Sequence, residues 1–299
     1  MTGTAAALPP TPPPTPTPTG EDGARRWRDL RKRALSAAVL GPAAVACIWF
    51  GAEAFTAMVA LAVAVLAWEW VHLCGRRTRV FPGLAVPLVV LAAGAFAVQN
   101  HSRIALAVLF AGFVATWVGA HRMGRGLTQP AARLALGVLY IGLAGIALIE
   151  LRHDTEAGRG NVLFLFLVVW ASDIGAYMAG RAFGGPKLAP SVSPNKTWSG
   201  AAGGLASALV VGGACALAFT PSASLVAITV VVVVVSVASM LGDLLESAIK
   251  RHFKVKDTSS LIPGHGGLLD RLDGVLAAAP VASLMSFMLG LGRPLWGWG

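Results

Sequence analysis

From Ala34 onward the chain alternates between long apolar runs and short polar joints. Nine runs have helical length, at about 34–52, 54–74, 81–100, 104–121, 131–151, 161–183, 199–220, 224–250 and 273–292. Roughly 17–25 residues are needed to cross a bilayer as a helix. A helix satisfies its backbone polar groups internally, and the prolines inside runs (Pro42, Pro87 and Pro280) are tolerated there. The pattern predicts an all-α, polytopic integral membrane protein with about nine transmembrane helices. It divides into a tail with a basic segment (1–33), N-terminal transmembrane helices (34–152) and a C-terminal transmembrane region (153–299) that carries most of the informative polar residues.

Composition supports this and removes the alternatives. Of 299 residues 56% are hydrophobic, and the 35 glycines bring the apolar share to about two-thirds. Only 13% are charged, about half the usual share in soluble domains. So few charges cannot cover a water-soluble globule of this size. Disorder of the whole chain, a collagen-like fibre and a disulfide scaffold are likewise excluded. Cys47, Cys74 and Cys215 lie within apolar stretches at unrelated spacings and read as small buried hydrophobes.

The tail holds seven prolines before position 19 and reads as a disordered, polyproline-like arm. It does not read as a signal peptide, because no apolar run precedes Arg33 and no clear cleavage site follows. Six basic residues between Arg25 and Arg33 then mark a cytoplasmic flank. The net charge of +10 sits in joints between apolar runs, which is a topogenic arrangement rather than a nucleic-acid face. Placing the N-terminus in the cytoplasm puts 20 of the 24 Lys and Arg residues inside, leaving Arg103, Arg152, Arg159 and Arg293 outside.

The acidic residues locate the chemistry. After Glu156 six remain, Asp173, Asp243, Glu246, Asp257, Asp270 and Asp273, each in or beside a predicted span. A carboxylate facing lipid costs at least ~2.5–3.5 kcal/mol, so several in one half of a chain imply a polar cavity. Asp243, Glu246, Ser247 and Lys250 follow i, i+3, i+4, i+7 and share a helix face. Beyond a loop containing "PGHGG", Asp270 and Asp273 stand at i, i+3 at the start of the next helix, with Lys250, Arg251, Lys254, Lys256 and Arg271 around them. A mixed-charge loop is often merely solvated. Here carboxylates on two helices flank a Gly-rich basic loop, which suits a metal–phosphate site. Gly264, Gly266 and Gly267 permit close backbone approach. His265 is compatible with a phosphate donor, a general acid or an ordinary loop histidine. A weaker cluster lies in "ASDIGAYMAGRAFGG" and "SPNKTWSG", where Pro194 is expected to set a turn in the 187–198 loop and Lys196 and Thr197 can contact phosphate.

The run "SAIKRHFKVKDTSSLIPGHGGLLDRLD", Ser247 to Asp273, resembles the signature of the phosphatidate cytidylyltransferase (CDP-diacylglycerol synthase) family. The matching positions are Ser247, Lys250, Arg251, Lys256, Asp257, His265, Gly266, Gly267, Asp270, Arg271 and Asp273. The likeness extends over about 160–290 through "SDIGAYMAGRAFG" and "SPNKTW"; Ser199 stands where the family often has Glu, which puts a required carboxylate there in doubt. The resemblance implies that CTP and phosphatidic acid give CDP-diacylglycerol and pyrophosphate, with Mg²⁺ and also a monovalent cation such as K⁺. It implies that Asp243 and Asp270 hold the metal, completed by Asp273 and Ser247, and that Lys250, Arg251, Lys256 and Arg271 hold phosphates. Asp257 and His265 join the catalytic set. Lys196 and Ser193 close the site from the other loop, and Thr197, Gly266 and Gly267 belong to substrate binding. Lys254, outside the fixed positions, is expected to be dispensable. The resemblance further implies a homodimer in a bacterial-type plasma membrane, with the bilayer rather than nucleic acid as partner.

Two rival activities fit some of these residues. A CTP-using lipid kinase would transfer the γ-phosphate and release CDP. A transporter would use intramembrane carboxylates for a coupling ion, but predicts paired broken helices in two related halves, and no such repeat is visible. The D-x-x-D-G-x-x-A-R pattern of CDP-alcohol phosphotransferases is absent.

Overall fold

In the computed structural model the described residues are 41–123, 130–153, 157–262, 266–289 and 293–297. The Pro-rich tail, the basic run Arg25–Arg33 and His265 lie outside them. The described residues form nine helices: α1 (Gly41–Phe50), α2 (Ala52–Leu73), α3 (Ala85–Val98), α4 (Ser102–Arg122), α5 (Ala131–His153), α6 (Gly158–Phe183), α7 (Trp198–Phe219), α8 (Leu225–Phe253) and α9 (Leu269–Leu289). Seven are long and apolar enough to cross a membrane, and the chain is an all-α polytopic membrane protein. The exceptions are α1 and α3. The run predicted at 81–100 shortens to the 14 residues of α3, about 21 Å of helix, because Pro82 and Gly83 occupy a turn ahead of it.

α5 is the most buried of the seven. It packs against α2, α3 and α4 on one side and against α6 and α9 on the other, so it joins the N-terminal helices to the C-terminal ones. Small residues make this possible. An added Cβ would fall 2.2 Å from the Trp70 ring at Gly137, 2.4 Å from Leu109 at Gly142 and 2.9 Å from Val63 at Gly145. α6 and α7 approach more closely still: a Cβ on Gly203 would fall 2.1 Å from that of Ala179.

Between α6 and α7 the structure departs from the expected plain loop. Residues Lys187–Ala189 (β1) and Ser193–Thr197 (β2) pair antiparallel, with Lys187 opposite Thr197 and Ala189 opposite Ser193. The turn expected at Pro194 is instead made by residues 190–192, closed by Val192 N donating to Ala189 O at 3.1 Å. Pro194 stands within β2, where a two-stranded ribbon leaves room for a residue without an N–H. Thr197 then caps α7, its hydroxyl accepting from Gly200 N at 3.1 Å.

Four joints gather at one end of the bundle. Glu69 near the end of α2 touches Ser259 in the α8–α9 loop, Trp70 Nε1 donates to Arg133 O in the first turn of α5, and Arg251 Nε at the end of α8 donates to Val192 O in the hairpin. At the opposite end Arg152 Nε donates to Ile48 O, and Asn161 binds the backbone of Arg293 and Leu295. The three cysteines are free thiols.

Candidate active site

The i, i+3, i+4, i+7 spacing on α8 does what it predicts: Asp243, Glu246, Ser247 and Lys250 line one stripe. Glu246 is fully buried, a position tolerable for a carboxylate because Lys250 Nζ stands 2.6 Å from its Oε2. The same ammonium reaches Asp270 Oδ1 on α9 at 2.9 Å, so Lys250 joins the two helices.

Asp270 is heavily engaged. Its Oδ2 accepts from Thr258 N (2.9 Å), Thr258 Oγ1 (3.0 Å) and Gly267 N (2.8 Å). The signature loop is therefore folded onto the carboxylate that opens α9. Gly266 sits at φ +83°, a conformation that favours glycine, and its carbonyl accepts from Ile262 N.

A second group of charges lies about one turn farther from the α8–α9 loop along α8 and α9. Lys196 on β2 places its ammonium 2.5 Å from Asp243 Oδ2. Asp173 on α6, Asp243 on α8 and Asp273 on α9 are close enough for their charges to act on one another. The approach of α8 to α9 depends on Gly242, where a Cβ would meet Asp273 O at 2.6 Å. Asp273 Oδ1 itself accepts from Gly274 N. Among the described residues, no three of His, Cys, Asp and Glu converge closely enough to form a ready-made metal cage.

A cavity of about 700 Å³ opens between the hairpin and the end of α8. Its wall includes Ser193, Ser247, Lys250, Arg251, Lys254 and Lys256. Five of these are sequence-predicted site residues; Lys254, expected to be dispensable, stands beside them. Arg271 is exposed on the first turn of α9, and Asp257 is exposed at the start of the loop beside Gly266. Thr197 is buried with its hydroxyl committed to the α7 cap, 3.0 Å from Ser199 Oγ. Ser199, where the family often has Glu, donates to Gly184 O and ties the start of α7 to the end of α6.

A model of the cytidylyltransferase family matches residues 31–289. The chain belongs to that family. Among curated relatives, a phosphatidate cytidylyltransferase of Brucella suis is 39% identical over 258 residues, covering 86% of this chain and 93% of the relative. One of Pseudomonas aeruginosa is 37% identical over 277 residues, covering 89% and 100%, and one of Haemophilus influenzae is 36% identical over 288 residues, covering 87% and 99%. The likeness thus spans the N-terminal helices as well as the signature half.

Glu69, Thr258 and Ser259 join the site although the motifs do not mark them. Glu69 carried a usable signal, a lone carboxylate in the apolar run "LAWEWVHL". Thr258 and Ser259 carried none, since hydroxyls in a polar loop are unremarkable until the loop folds.

Proposed function

We propose that this chain transfers a cytidylyl group from CTP to phosphatidic acid, giving CDP-diacylglycerol and pyrophosphate at the membrane surface. The observation that carries this reading is the basic cavity between the hairpin and the end of α8, whose wall includes Lys250, itself paired with Asp270 of α9, in a chain whose relatives bear that activity in their names. A phosphate oxygen of the lipid attacks the α-phosphorus of CTP. A bond forms from that oxygen to phosphorus, the bond to the bridging oxygen of the β-phosphate breaks, and pyrophosphate leaves with that oxygen. Such a transfer is mainly positioning and charge neutralisation. Arg251, Lys254 and Lys256 offer their charges to the triphosphate, and Lys250, held by Glu246 and Asp270, presents a fixed ammonium at the reacting end.

The resemblance implies Mg²⁺, and the donor chemistry here fits a hard cation: all the acids are oxygen ligands, and two already hold a cationic group, Lys196 on Asp243 and Lys250 on Asp270. Asp243, Asp270 and Asp273 would hold the ion, which when bound neutralises phosphate charge. A monovalent cation such as K⁺ belongs to the same proposal. The protein works in a bacterial-type plasma membrane as a homodimer, with the N-terminus and the site facing the cytoplasm. The uneven distribution of Lys and Arg between the two ends supports this orientation. A Lys254→Cys variant should react with an impermeant maleimide only in opened vesicles; labelling of sealed cells would overturn the orientation.

The reaction is tested with purified protein in detergent, phosphatidic acid, Mg²⁺ and CTP labelled at the α-phosphorus. Label in the chloroform phase is expected. Aqueous CDP without lipid label would instead establish a kinase, and silence in both phases from folded protein would overturn nucleotide chemistry.

A further inference from the structure

Glu69 lies on α2, in the half of the chain that the signature does not reach, and is fully buried. Among the described residues its three hydrogen bonds go to the α8–α9 loop and the start of α9. Oε1 accepts from Ser259 Oγ at 2.6 Å and Leu268 N at 2.8 Å, and Oε2 accepts from Leu269 N at 2.7 Å. Leu268 and Leu269 carry backbone donors that α9 cannot satisfy itself, and the carboxylate stands at the positive end of the helix dipole.

Glu69 is itself held from behind. Its neighbour Trp70 donates to Arg133 O at 3.0 Å and packs its ring on Tyr140 of α5. On the loop side, a Cβ on Gly267 would fall 2.1 Å from Thr258 Oγ1 and 2.7–3.0 Å from the Glu69 carboxylate, so glycine lets the loop close. Asp270 follows directly after the residues that Glu69 holds, and Asp270 is the partner of Lys250. A carboxylate in an apolar membrane helix is expensive, and a hydrophobic side chain could fill the same space without that cost. The arrangement is explained by what the carboxylate grips.

We propose that Glu69 is a positioning residue: it sets the first turn of α9 and so the place of Asp270 opposite Lys250, linking the N-terminal helices to the site. This rests on the reaction proposed above. Removing an outer partner of an active carboxylate typically costs about 10–100-fold in activity.

The test compares Glu69→Gln, Glu69→Asp and Glu69→Ala for kcat, for KM toward CTP and for hydrogen exchange across residues 266–276. Gln keeps an acceptor for Ser259 and Leu268 but turns an amide N–H toward Leu269 N. Its kcat is expected to fall about 10–100-fold with KM changed less than about threefold, and exchange at the start of α9 to rise while α5 and α6 stay protected. Asp, one methylene short, should resemble Ala and lose more than Gln. Ser259→Ala, which leaves α2 untouched, should give a smaller kcat loss with the same local exchange signature. Wild-type kcat in Glu69→Gln would overturn the proposal. Loosening spread evenly over all helices, with activity tracking folded protein, would overturn it too. If wild-type protein forms no CDP-diacylglycerol, the reaction reading fails and the catalytic role with it; faster exchange confined to the start of α9 would still support the contact.

Discussion

Lys196 of the hairpin carries its ammonium to within 2.5 Å of the Asp243 carboxylate on α8, closing one side of the site with a charge pair between two separate elements. The side chains are 24% and 36% exposed but the Lys196 ammonium itself is buried, so the cost of desolvating it offsets the attraction and the pair adds little net stability. Its value is positional. Lys196→Ala is therefore expected to lower turnover about 10–100-fold while moving the thermal midpoint by less than about 4 °C. Scanning fluorimetry beside the lipid-label assay checks both. A large drop in midpoint with proportionate loss of activity would make the pair structural instead.

Asp270→Asn separates charge from shape. The remaining oxygen can still take Thr258 N, Thr258 Oγ1 and Gly267 N, but the new amide faces the Lys250 ammonium, donor against donor. Turnover should fall by more than about 100-fold with a monodisperse, folded protein by size exclusion. Asp270→Ala leaves those donors unpaired at about 1–3 kcal/mol each, so its midpoint should fall clearly below that of the Asn variant.

Lys254 takes the left-handed conformation that ends α8 and lines the same cavity as Arg251 and Lys256. All three are exposed, so each adds a screened charge to the triphosphate site. Lys254→Ala should raise KM for CTP about 3–10-fold, equivalent to ~0.7–1.4 kcal/mol, with little change in kcat. Adding salt should raise KM in the wild type and flatten the difference between the two proteins. Initial rates over a CTP series at two ionic strengths decide this; identical KM values would return Lys254 to the role the signature alone assigns it.

Gly203→Ala tests the α6–α7 contact. Its Cβ would land 2.1 Å from that of Ala179, so the helices must part or bend, at a cost of about 1–3 kcal/mol. The thermal midpoint should fall by several degrees, and turnover with it, because α7 continues directly from the strand that carries Lys196. Gly213→Ala is the control, since a Cβ there meets open space.

Membrane character, the approximate spans and the carboxylate stripe on α8 were legible in the chain because each depends on local periodicity. An apolar run of membrane length has few conformations open to it, and i, i+3, i+4, i+7 acids share a face in any helix. The signature residues were legible for another reason, that fixed spacings across one loop survive whatever surrounds them. The hairpin is not legible in the 187–198 segment, where the pattern suggests a loop turning at Pro194, because a three-residue strand and a five-residue strand carry too little pattern to announce it.

What tertiary structure alone decided is which groups answer one another across the bundle. Nothing in the order of residues pairs Lys196 with Asp243, or sets Glu69 of α2 against Leu268 and Leu269. α5 packs on both sets of helices, on the N-terminal side through Gly137, Gly142 and Gly145, and distant joints come together at one end. The buried Glu69 is stabilised by donors it meets only after the helices have packed. By itself the sequence determined the kinds of groups available and the faces that carry them; packing determined their partners, because hydrogen bonds and ion pairs act over a few ångströms and are blind to distance along the chain.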